Sequence, residues 1–176
     1  MGAASAANVE QRCRVTGTAV AGSVFQLGDP GLTTNDAMEI DMNEKLEAGL
    51  TRTARISVDD ARTISFMGDE GRVYATPELV RDIEMTCRDL LLGVIDAGQD
   101  SVGTHIDVSH IAATPVGTWA EIDVTVTAVD GRAVTFDISA RDPLEQICHG
   151  KHSRFVVDVA KTIARLKGKV EAVAAA

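Results

Sequence analysis

Aromatic rings are nearly absent from this chain. One Trp, one Tyr and four Phe make up 3% of its 176 residues, so base stacking, the usual grip on single-stranded nucleic acid, has little to work with. Positive charge is scarce as well. Seventeen Lys and Arg stand against 26 Asp and Glu, for a formal net charge of −9. An acidic chain repels phosphate backbones and anionic bilayers, which argues against nucleic-acid and membrane partners. It leaves room for a small anionic ligand, which needs only a local basic patch. Cysteine is sparse and odd in number: Cys13, Cys87 and Cys148. Three widely spaced thiols make no disulfide framework and point to a reducing compartment, the cytoplasm. No apolar run approaches the length of a membrane span. The opening "MGAASAANVEQRCR" lacks the basic start and continuous apolar stretch of a signal peptide. There is no P-loop, no G-x-G-x-x-G and no G-x-S-x-G elbow.

What is present is enough for one domain with a real core. Apolar residues make up 45% of the chain, so it should fold, and with few rings the core must be aliphatic. Residues 1–40 are rich in Gly, Thr, Ser and Ala and read as an extension, poorly structured or holding one short strand around 18–27. From 41 to 160 the pattern is regular. Residues 49–58 alternate as a strand, 63–67 suggest a short second one, and "GDEGR" (68–72) reads as a turn. Then comes "TPELVRDIEMTCRDLLLGVIDAG" (76–98), with Thr76 as a good N-cap, Pro77 at the first helical position, and Gly98 as a natural stop. Leu79, Val80, Ile83, Cys87, Leu90, Leu91, Val94 and Ile95 recur at helical spacing.

Four strand-like runs follow, near 101–112, 118–129, 133–141 and 147–158, with "VDGR" (129–132) as a hairpin signal. Residues 161–176 form a basic tail or short helix. One-sided alternation means an antiparallel sheet with one covered face, and the long helix is its natural cover. The expected class is therefore α+β, in the plan called the hot-dog fold: one central helix wrapped by about five antiparallel strands. One helix leaves edges and apolar surface uncovered, so a homodimer is expected.

Three residues break the local pattern. In "THIDVSHIAATP" (104–115), Thr104, Ile106, Val108 and His110 share one side, so a histidine ends an apolar row. Glu84 falls in the buried stripe of the helix, four residues after Val80 and three before Cys87, where a carboxylate is costly unless partnered. Thr76 starts that helix. Each has a plain structural explanation open to it: a core histidine bonded to a carbonyl, a stripe-edge carboxylate reaching solvent, a simple N-cap. "CHGKH" (148–152) has no second ligand cluster to match it, so no metal site is expected. Lys161, Arg165, Lys167 and Lys169 read as an exposed helix face before they read as a landing site for phosphates.

Taken together, "VYATPELVRDIEMTC" (73–87), "VGTHIDVSHIAATPVG" (102–117) and "HGKHSRFVV" (149–157) resemble the fluoroacetyl-CoA thioesterase group of the hot-dog superfamily, over Leu46 to Val159. The resemblance implies hydrolysis of a short-chain acyl-CoA thioester by Thr76, Glu84 and His110. Coenzyme A enters as part of the substrate and no cofactor is needed. It further implies that Gly103 lines the acyl pocket, and Lys151 and Arg154 are candidates for the CoA phosphates. The group's lid Phe has no counterpart between Phe66 and Tyr74, so the chemistry is expected and fluoroacetate specificity is not. The other functions such a fold can serve are a non-catalytic acyl-CoA-binding module and an acyl-CoA hydratase. Helical rise sets a geometric problem: eight residues from Thr76 to Glu84 span about 12 Å. One imidazole cannot reach both unless the helix starts later or two subunits share the site.

Overall fold

Alternation makes the sheet. A computed structural model of the chain describes residues 45–175. It contains β1 (Thr51–Ser57), α1 (Thr76–Leu92), β2 (Gln99–His110), β3 (Trp119–Asp130), β4 (Ala133–Arg141), β5 (Gln146–Asp158) and α2 (Val159–Ala174). Ala120, Ile122, Val124 and Val126 of β3 are buried, as are Val134, Phe136, Ile138 and Ala140 of β4. The residues between them face out. All pairings are antiparallel, in the order β1-β3-β4-β5-β2. The expected α+β hot-dog plan is the one observed: α1 crosses one face of the sheet against β2, β1 and β3. Its buried side chains Leu79, Ile83, Cys87, Leu90 and Leu91 close the core.

Several local expectations are corrected. Residues 63–67 form no strand; only an isolated bridge joins Thr63 to Tyr74. The segment 68–72 holds a short 3-10 helix, Asp69–Gly71. α1 ends at Leu92, with Gly93 capping it through Leu90 O and Leu91 O. Val94 and Ile95 keep the apolar rhythm beyond the end because their N–H groups still turn back onto Leu91 O. Gly98, at φ 85°, turns the chain into β2 instead of ending the helix. The N-cap is Ala75, whose methyl makes no cap bond, and Thr76, the expected cap, is the first helical residue. The strand suggested near 18–27 lies outside the described residues. The basic tail forms α2, sixteen residues long, capped by Asp158. It buries no side chain and presents Val159, Ile163, Leu166, Val170 and Val173 to solvent.

β2 deviates from simple alternation in a way that matters for the site. A bulge lies between Gly103 and His105. It swaps the parity of the strand, so Ser101 is buried above it while Ile106, Val108 and His110 are half-buried below it. Thr104, expected on the core side, is exposed and bonds Ser153 O at 3.1 Å. β2 is an edge strand, and its outer side pairs with nothing among the described residues. A twelve-residue open edge is a template for a further strand.

Candidate active site

His110 is the last residue of β2 and Thr76 the first of α1. They lie 34 residues apart in sequence, and Thr76 Oγ1 is 2.9 Å from His110 Nδ1. The segments around them are laced together. Tyr74 N–H donates to Thr114 O at 2.8 Å, Val116 N–H to Arg72 O at 3.1 Å, and Ala75 N–H to Arg62 O at 2.8 Å. Beneath this, the Tyr74 hydroxyl donates to Asp82 Oδ2 at 2.6 Å and Arg62 Nε donates to the same oxygen at 2.9 Å. The edge of the Tyr74 ring meets the His110 ring at 6.5 Å between centroids. The "AATP" after β2 thus serves as backbone scaffolding for the turn that carries Thr76.

Burial pushes the His110 pKa below its ordinary value, and the backbone at Ala112 offsets only part of this. The imidazole is therefore neutral at pH 7 and can act as a base. Its Nε2 is buried with no hydrogen-bond partner among the described residues. A buried polar atom without a partner is uncommon in folded proteins. Cys87 and Cys148 do not compete as nucleophiles. Burial pushes the thiols of Cys87 and Cys148 up to about 12 and about 11, so thiolate is scarce at neutral pH.

Glu84 does not join this pair. Its carboxylate lies over Gly103, where an added Cβ would come within 2.8 Å of Oε1. A larger residue at this position would push the carboxylate aside. Gly103 and His110 are seven residues apart on β2, roughly 20 Å along the strand. The six expected site residues thus fall into groups. Thr76 and His110 form one, and Glu84, Gly103 and Arg154 form another. Lys151 stands apart on the exposed outer face of β5, with Nζ 2.6 Å from Asp137 Oδ1.

Arg154 is a correction. It was expected on the surface to meet phosphate, but it is 4% exposed and its donors are occupied. Nε donates to Ser101 Oγ at 2.9 Å, Nη2 to Ser101 O at 2.7 Å and Nη1 to Glu84 O at 3.1 Å. The cause is parity: Arg154 shares the helix-facing side of β5 with Cys148, His152 and Val156, all buried. That alternation was available in the sequence and would have placed it inside. Asp82 was missed for a similar reason. It sits three residues after Leu79, in the buried stripe, and is 6% exposed.

Residues 58–160 match the model of the FlK family, the fluoroacetyl-CoA-specific thioesterases. The chain belongs to this family. The matched stretch of these thioesterases takes in all six residues named above. The fluoroacetyl-CoA thioesterase of Streptantibioticus cattleyicolor is 33% identical over 100 residues, covering 57% of this chain and 72% of that one. The solved structure of the fluoroacetyl-CoA thioesterase FlK superposes with a TM-score of 0.66 at 28% identity, over 72% of this chain and 98% of the other. A mutant of that enzyme in complex with fluoroacetate and CoA aligns at 0.61 and 29% identity, over 66% of this chain and 99% of the other. A thioesterase superfamily member from Thermus thermophilus, at 24% identity and TM-score 0.64, over 71% of this chain and 96% of its own, shares the fold.

Proposed function

We propose that this chain hydrolyses a short-chain acyl-CoA thioester to the free acid and CoA, at a site completed by a second copy of itself. Family membership supports the reaction. The observation that carries the site is the bond between Thr76 Oγ1 and His110 Nδ1, with Nε2 buried and bare on the other side of the ring. In the tautomer that suits it, Nε2 carries the proton and Nδ1 takes one from the Thr76 hydroxyl or from a water that Thr76 holds. The oxygen so freed bonds the thioester carbon, the C–S bond breaks, and the CoA sulfur leaves with the proton returned from Nδ1. If Thr76 itself attacks, water then cleaves the acyl-threonine by the same proton path. Ala75 makes no side-chain cap bond, which leaves the positive N-terminus of α1 open to a developing oxyanion beside Thr76.

Glu84 is the natural partner for the Nε2 proton, where it would hold the ring and stabilise the imidazolium. Within one chain it is out of reach. Antiparallel pairing of β2 with β2 of a second copy, about a two-fold at Asp107 and with the bulge taking up one residue, would set His110 opposite Gly103 of the partner subunit and so beside the partner's Glu84. The open edge of β2 favours this homodimer. With Arg154 buried, Lys151 remains for the CoA phosphates, since its exposed pair with Asp137 is of the weak kind that a phosphate displaces. The uncommitted thiols Cys87 and Cys148 suit the cytoplasm. No helix among the described residues is long and apolar enough to cross a membrane.

Free-thiol release from a panel of acyl-CoAs, acetyl-CoA and haloacetyl-CoA included, tests the reading. Release should occur with a short acyl group and fall on the order of 100-fold or more in His110→Ala and Thr76→Ala. Ligand-induced thermal stabilisation without thiol release from any of them would point to a binding module instead.

A further inference from the structure

α2 is turned the wrong way for a helix that merely packs on a sheet. Such a helix lays its apolar side down. Here Val159 N–H donates to Gly98 O at 3.0 Å and Asp158 caps the Lys161 N–H at 2.8 Å, which starts the helix beside the ends of β5 and β2. Ile163, Leu166 and Val170 are nevertheless exposed. Lys161 and Arg165, four residues apart and so on one side of the helix, line a pocket against the sheet instead. The single exposed basic face expected from the sequence is therefore divided, because Lys167 and Lys169 do not line that pocket.

The pocket holds about 310 Å³, at the small end of the range for small-molecule sites. Its floor is the outer side of β2 and β5, where Val102 pairs with Phe155 and both are exposed. Arg154 and Val156, the neighbours of Phe155, are buried, so this face is the one opposite α1. A third cation, Arg132, comes from the turn between β3 and β4. Among the described residues Arg132, Lys161 and Arg165 have no ion pair, whereas every other described arginine except the buried Arg154 has a carboxylate partner. The acid at the pocket, Asp158, is bonded to the helix as its cap. An apolar floor under a cationic rim suits a ligand with a ring at one end and an anion at the other. With a net charge of −9, the chain repels large polyanions, and only a group small enough to enter the pocket meets these three cations at close range.

We propose that this pocket is a nucleotide-binding site, on the face of the sheet opposite to Glu84. The base lies on Phe155 and Val102, and the phosphates are held by Arg132, Lys161 and Arg165. One exposed ring serves one base, and guanidinium forks grip phosphate oxygens in pairs. The nucleotide end of a CoA and a free nucleotide present the same chemistry.

Calorimetric titration of the full chain with ADP, adenosine and inorganic phosphate tests the site. It needs no turnover, so it stands apart from the thioesterase reading. ADP should bind saturably, and more tightly than adenosine or phosphate. Arg132→Gln and Arg165→Gln, both at exposed positions, should keep the thermal midpoint of the parent and each weaken ADP roughly tenfold or more. Phe155→Ala should weaken ADP by a similar factor and leave phosphate unchanged. Lys167→Gln, on the same helix but outside the pocket, should leave ADP binding unchanged.

The source of the nucleotide is read from KM in thiol release. If the pocket takes the CoA end of the substrate, Arg132→Gln raises KM for an acyl-CoA and not for the matching acyl-pantetheine. If it takes a free nucleotide, ADP binding falls and both KM values stay as in the parent. Either result supports the site. No saturable ADP binding at concentrations to about 1 mM overturns it, as does ADP binding that survives both arginine variants. Equal weakening in Lys167→Gln and Arg165→Gln also overturns it, since that is diffuse attraction to a basic helix.

Discussion

The proposed chemistry turns on how two ordinary side chains are housed. A threonine hydroxyl has no useful acidity, and a free imidazole would be partly protonated near neutrality. Here the Thr76 hydroxyl is set 2.9 Å from His110 Nδ1, and burial lowers the pKa of that ring. The sign follows directly. The base must be neutral to take a proton, so lowering its pKa extends activity toward acid. The plateau of kcat/KM should hold through pH 7, with its acidic limb below the ordinary histidine value of about 6.5. A pH profile of thiol release checks this, and a limb centred above that value would contradict the burial argument. His110 and Glu84 stood out in the sequence, because each violated the apolar row it stood in. Thr76 did not: before Pro77 and Glu78 it looked like a cap, and only tertiary contact with β2 shows that its hydroxyl turns away to His110.

At the scale of elements, the site is a matter of how β2 and α1 are matched. The bulge at Gly103/His105 lets one strand place Ser101 and His110, which differ in parity, on the same helix-facing side. Gly103 lies against the Glu84 carboxylate. An added Cβ there meets the tip of a flexible side chain rather than backbone. Gly103→Ala should therefore fold with a thermal midpoint close to that of the parent, yet lose roughly tenfold or more in kcat because Glu84 is displaced. Equal activity would show that the carboxylate has slack. The strands themselves were readable from alternation to within a residue or two. The bulge was not, because an extra residue leaves no mark on composition, and Thr104 looked like part of the row until its hydroxyl was found on Ser153 O. The end of α1 was overrun because Val94 and Ile95 keep helical spacing past Leu92. Arg154 was placed outside because a charged residue was read by its charge and not by its position in the alternation of β5.

At the scale of the whole molecule, the described chain holds two half-sites. Thr76 and His110 stand at one end of β2, and Glu84 over Gly103 stands toward the other. The proposed dimer along β2 would turn two incomplete halves into two complete sites and would account for both the open edge and the bare Nε2. It would also answer the spacing problem posed by the sequence, where eight helical residues kept Thr76 and Glu84 too far apart for one imidazole. The most direct test mixes two inactive variants, Glu84→Ala and His110→Ala, under conditions that allow subunits to exchange. In a shared site, each mixed dimer rebuilds one intact site and loses the other. Half of the dimers in an equal mixture are mixed, and half of their sites are intact, so thiol release should recover to about a quarter of the parent rate. Thiol release that stays at the level of the two separate variants, with subunit exchange demonstrated, would contradict a site built from two copies.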